Sequence, residues 1–168
     1  MSITVYAATV PAIQQMFHSL SAILTKAAAH AEAKKIDPSV FINARLAPDM
    51  HPLVRQVQIA SDNAKGLCAR LANVAIPSFP DTETTFADLQ ARITKTLDFI
   101  KTLKPEQFEG AEKREITLKL GPQEVKWSGQ VYLLNFGLPN FYFHVTTAYD
   151  ILRHSGVEIG KRDFMGSF

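Results

Sequence analysis

Residues 138–156 read LPNFYFHVTTAYDILRHSG, and this stretch decides the fold. Phe141, Ala148 and Ile151 recur at helical spacing around His144, and Asn140 lies one turn earlier on the same side. The spacing predicts a helix from about Gln130 to Ser155, kinked near Pro139 and closed by Gly156 as a C-terminal cap. A helix with one broad apolar face is stable only when that face is buried against other elements. The apolar run Val131–Val145 is broken by two Asn, a Pro and a Gly, and it falls short of the roughly 20 residues that a membrane span needs. The partners must therefore come from the rest of the chain.

Three further helices answer that need. From Thr9 to about Lys35, Ile13, Met16, Phe17, Leu20, Leu24, Ala27 and Ala31 recur at intervals of three and four, with Pro11 suited to a first turn. KKIDPS stops that helix. A second is predicted from about Pro52 to Val74, carrying Leu53, Val57, Ala60, Ala64, Leu67 and Leu71 on one stripe. A third follows the two prolines of AIPSFPD, starting at Thr85 with Asp88 three residues on, a relative of the capping box. Its stripe is Phe86, Leu89, Ile93, Leu97 and Ile100, ending near Leu103. The period then changes to two at Ile116, Leu118 and Leu120, GPQE turns, and Val125 and Trp127 alternate again, which predicts a β-hairpin. The tail VEIGKRDFMGSF reads as irregular. Without internal repeats or low-complexity linkers, the chain is expected to be all-α, an antiparallel four-helix bundle with a small β-hairpin between helices 3 and 4.

Composition bounds the function. A chain of 168 residues with 46% hydrophobic content is read as one domain, 1–168. Its 18 basic and 16 acidic residues leave a formal charge of +2, too balanced for strong attraction to nucleic acid or anionic lipid. The lone Cys68 forms no internal disulfide and the N-terminus lacks a secretory pattern, so a soluble, cytoplasmic protein is expected.

The candidate chemistry centres on His144, whose imidazole is expected to point into the bundle. Together with Asn140 it could converge on one ligand or ion; alternatively both are core polar residues satisfied by each other, by backbone carbonyls or by a water. The remaining histidines read as solvated or capping groups: His18 faces away from the first apolar stripe, His30 lies at its edge, and His51 and His154 fall near helix ends. Cys68 reads as an inert buried thiol. Lys161, Arg162 and Asp163 suggest a small charged cluster, with a surface ion pair as the simpler account. Tyr142, Tyr149 and Arg153 mark the other side of the last helix, a face for a second subunit or for the hairpin. GVEIGKR is not a P-loop, having one residue too few, no Ser or Thr after Lys161, and a helix before it. The aromatics of NFYFH are not interleaved with Lys or Arg, so no base-stacking platform is expected.

LPNFYFHVTTAYDILRHSGVEIGKRDFMG, LAPDMHPLVRQVQIASDNAKGLCARLA and ITLKLGPQEVKWSG together resemble a bacterial and fungal domain-of-unknown-function family within the DinB/YfiT-like four-helix superfamily. The resemblance covers nearly the whole chain. It implies a DinB-like helical bundle, a homodimer, and a position where many superfamily members hold a divalent metal with three histidines. Matched residue by residue, the paired histidines of the last helix fall on Asn140 and His144, and the earlier histidine falls near Gln56. Only His144 keeps an imidazole. Neutral amide oxygens bind such ions weakly, so no metal is expected and the site is at most a degenerate divalent-metal site. What the match leaves is a polar ligand pocket of His144, Asn140 and Gln56. The expected function is therefore that of a non-metal small-molecule-binding helical bundle. The rival readings are a metal-dependent thiol transferase or hydrolase of the DinB-like class, and a structural or interaction protein without a ligand.

Overall fold

The structure, a computed structural model, describes residues 3–166. Helix α1 spans Val5–Lys34 and begins earlier than the expected Thr9. Thr4 caps it, its Oγ1 accepting from the Ala7 N–H at 3.1 Å. Pro11 consequently lies inside the helix and not in its first turn. An interior proline removes a backbone donor and costs about 3 kcal/mol. The added turn contributes packing against this cost, since Tyr6 meets Phe108 edge to face at 5.3 Å. Short helix α2, Pro38–Ile42, is capped by Asp37 and buries Phe41 and Ile42. Helix α3 spans Leu53–Ala72, with Pro52 just outside it, and ends on Asn73 in the left-handed conformation.

Helix α4, Phe86–Lys101, carries the complete capping box: Thr85 Oγ1 accepts from the Asp88 N–H, and the Asp88 carboxylate accepts from the Thr85 N–H. Gln90 meets Ser21 and Thr25 of α1, and Phe86 lies against Phe41, so α4 runs antiparallel to α1. Ser61 of α3 meets Arg92 and Thr96 of α4. Both helices start beside the α2 segment, with the Leu53 N–H donating to the Ala44 carbonyl and Phe86 against Phe41, so α3 and α4 run the same way and segment 74–84 has to climb the bundle between them.

That crossover is pinned by buried charge. The Arg92 guanidinium, 3% exposed, donates to Asp62 at 2.8 Å, Asp81 at 2.9 Å and Glu83 at 3.1 Å, and also to the Pro80 carbonyl and Ser61 Oγ. Lys65 adds an ion pair to Asp62 and a hydrogen bond to the Pro77 carbonyl. A buried cation tolerates its desolvation only when paired this fully.

A 3₁₀ turn at Pro105–Phe108 leads to strands β1 (Glu115–Leu120) and β2 (Gln123–Ser128), which pair antiparallel with Ile116 opposite Trp127 and Leu118 opposite Val125. Gly121 takes the positive φ of 59° that this two-residue turn requires. The hairpin folds onto the last helix, where Trp127 stacks on Tyr132 and Phe136.

The last helix is continuous from α5 (Gly129–Val131) through a π-helical turn (Tyr132–Gly137) into α6 (Leu138–His154). The expected irregularity at Pro139 is thus a π-turn just before it. The Leu138 N–H reaches five residues back to the Leu133 carbonyl, and Pro139 then occupies the first turn of α6, where its missing donor is tolerated. Gly137 faces Leu67, so closely that a Cβ would lie 2.5 Å from the leucine methyl. Gly156, at φ 90°, closes the helix as expected. The last helix lies antiparallel to α3, and the four long helices run up, down, down, up.

The tail departs from expectation. It forms a short helix, α7 (Lys161–Met165), that lies on α1. Phe164 covers Tyr149, which is therefore shielded by the tail and not by the hairpin. Asp163 pairs with Lys26 at 2.6 Å and not with its neighbours Lys161 and Arg162; it also accepts from the Gly160 N–H. Among the described residues, no helix is long and apolar enough to cross a membrane.

Candidate functional site

Helices α3 and α6 bring the candidate residues together. Gln56 sits on the first turn of α3 and is 1% exposed; His144, half-buried, crosses it from α6 with Nδ1 2.7 Å from Gln56 Oε1. An amide oxygen only accepts, so Nδ1 carries the proton and donates. The Gln56 amide nitrogen donates in turn to the His51 carbonyl at 2.9 Å. This relay fixes the imidazole tautomer and leaves Nε2 with a lone pair and no hydrogen-bond partner among the described residues.

The imidazole is neutral at physiological pH. Burial, followed by the nearby charge of His51, pushes its pKa down from 6.5 to about 4. Beside it Phe143 is 55% exposed, its ring edge to face with the imidazole at 5.2 Å. The site thus offers an acceptor nitrogen next to an apolar aromatic surface.

Asn140 does not join this group. Its amide donates to Asn63 Oδ1 at 3.1 Å, so the two polar residues of α6 take separate partners on α3 and are not bonded to each other. Gln56 lies in direct contact with His144, well inside the interface, although its place in the α3 stripe suggests an edge position. Two participants escaped the sequence reading, Asn63 and His51. Asn63 lies two helical turns after Gln56 on α3, a spacing that alone carries no chemistry; His51 is brought in by the bend at Pro52.

A divalent metal does not fit. Gln56 Oε1 is occupied by the imidazole N–H, Asn140 is held by Asn63, and amides are weak ligands for such ions. Among the described residues, no cluster of three or more His, Cys, Asp or Glu is placed to bind one. Elsewhere, His18 and His154 are exposed and His30 packs on Phe41. Cys68 is buried, and desolvation pushes its thiol up to about 12, which makes it unreactive. A cleft of about 800 Å³ opens at the start of the last helix, and neither His144 nor Asn140 lines it.

The geometry can be set beside known proteins. Residues 5–165 match the family described as a domain of unknown function, DUF1993. The crystal structure of a DinB family member protein from Shewanella denitrificans superposes with a TM-score of 0.89 at 40% identity, covering 97% of this chain and 92% of that one. No curated protein matches. With the match running from the first turn of α1 to the end of α7, the chain belongs to the DUF1993 family, within the DinB-like superfamily of four-helix proteins.

Proposed function

We propose that this bundle binds a small, uncharged organic molecule at His144 without a metal. The observation that carries the reading is the Gln56-held imidazole, neutral and with Nε2 unpartnered. Such a nitrogen accepts a hydrogen bond from an N–H or O–H donor, and the exposed face of Phe143 accommodates an apolar or aromatic body beside it. An anion is disfavoured because the imidazole carries no charge. The reading takes the protein as a cytoplasmic homodimer, supported by the family resemblance.

A thermal-shift screen of neutral metabolites and thiols, run in parallel on the parent and a His144→Leu variant, tests it. A ligand stabilises only the state that binds it, at about 2.7 kcal/mol for a hundredfold excess over Kd. Hits that raise the parent's melting temperature and leave the variant unmoved support the site. Identical responses of both proteins to every hit leave His144 as a satisfied core residue and favour the ligand-free reading.

A further inference from the structure

We propose that the cleft at the start of the last helix binds a small organic ammonium ion, its apolar body resting on Tyr6, Phe108 and Leu133 and its charge facing Glu106, Glu109 and Glu112. The cleft is walled by the first turn of α1, by segment 105–112 and by residues 130–134. Its volume of about 800 Å³ lies in the range of small-molecule sites and is too small to hold a folded partner. Its floor is apolar, with Phe108 and Leu133 buried and Tyr6 half-buried.

The polar side of the cleft has one sign. Three carboxylates line it, and among the described residues no Lys, Arg or His does. None of the three is engaged in an ion pair among the described residues; of the two basic residues that follow them, Lys113 is exposed and Arg114 donates to the Leu71 carbonyl. Structural need accounts for only part of this charge. The N-terminus of α1 opens onto the cleft and carries about half a positive charge, which three carboxylates outweigh. Tyr6 and Phe108 meet edge to face at 5.3 Å beside that charge, and aromatic faces attract ammonium groups through their quadrupole. An apolar floor, two rings and unpaired carboxylates are the chemistry that distinguishes an amine from an alcohol or acid of the same shape.

The inference does not rest on His144, and calorimetry separates the two sites. The full chain is titrated with 2-phenylethylamine, and with 2-phenylethanol and 3-phenylpropionate as neutral and anionic counterparts. The expected result is saturable one-site binding of the amine, at least about tenfold tighter than the alcohol, weakened by added salt. The Glu106→Gln/Glu109→Gln/Glu112→Gln variant is expected to lose about tenfold or more in amine affinity, and His144→Leu to lose none. Glu106 and Glu109 are exposed and Glu112 half-buried, so the triple variant is expected to fold. Glu109→Lys, a single exposed change that puts a fixed ammonium at the rim, gives an independent check and is expected to weaken the amine as well. Equal affinity for amine and alcohol, undiminished binding in both Glu variants, loss of binding in His144→Leu, or binding of a basic peptide where the amine fails would each overturn the proposal.

Discussion

At the scale of the residue, the Gln56–His144 pair is an exchange of desolvation against one good hydrogen bond. His144→Leu removes the donor and strands the buried Gln56 oxygen, so a loss of about 1–3 kcal/mol is expected in denaturant unfolding. Adding Gln56→Leu removes the stranded acceptor, and the double variant is expected to recover part of the loss, giving a measurable coupling between the two sites. The same pair has a pH signature. His144 binds its proton less readily folded, at about 4, than unfolded, at about 6.5, so the unfolded state takes up more protons in that window. Stability is full above pH 6.5 and falls as the solution is acidified toward 4; the loss is about 1–2 kcal/mol once solvent screening of a half-buried group is allowed for. Melting temperatures of parent and His144→Leu, compared from pH 7 to pH 4, check this: the parent should lose more. His144 as an inward polar residue was legible from its place between Phe141 and Ala148. The approach of Gln56 came only from the family resemblance, because it depends on the relative rotation of two helices, which neither helix's own pattern specifies.

At the scale of the element, the chain was readable where local chemistry is decisive and opaque where tertiary contacts are. The Thr85–Asp88 capping box and the Gly156 cap formed as their sequences dictate, because each satisfies backbone groups within a few residues. Pro139 signalled an irregularity but not its form, a π-turn over Tyr132–Gly137, where Gly137 lies against Leu67 of α3. Gly129 is held more tightly still, as a Cβ there would meet the Ala111 carbonyl oxygen at 1.8 Å. Gly129→Ala must displace backbone and is expected to cost about 1–3 kcal/mol or more in denaturant unfolding, with Gln130→Ala, which is exposed, as the near-neutral control. Arg92 was hidden for a related reason. It stands between Leu89 and Ile93 on the apolar stripe of α4, yet its role is to hold a crossover whose course only the fold reveals. Arg92→Ala leaves Asp81 with Arg55 and Glu83 with Gln58 alone, and is expected to cost about 2–4 kcal/mol and to expose segment 74–84 to proteolysis.

At the scale of the whole molecule, periodicity alone fixed four long helices and a hairpin, while their up-down-down-up order follows from a crossover that the sequence marks only as a proline-rich loop. The two polar features that could serve function lie apart along the last helix: a neutral imidazole facing α3 in α6, and an acidic cleft at α5. The dimer proposed for this chain is checked by light scattering at micromolar concentration, where a mass twice the chain's 18.6 kDa is expected and a monomer counts against it. The most direct test of the His144 site is long-range proton–nitrogen NMR of its imidazole at pH 7. The expected spectrum shows Nδ1 protonated and Nε2 unprotonated, with the Nε2 resonance moving when a stabilising ligand from the thermal screen is added. A proton on Nε2, or an Nε2 resonance indifferent to every such ligand, would contradict the account.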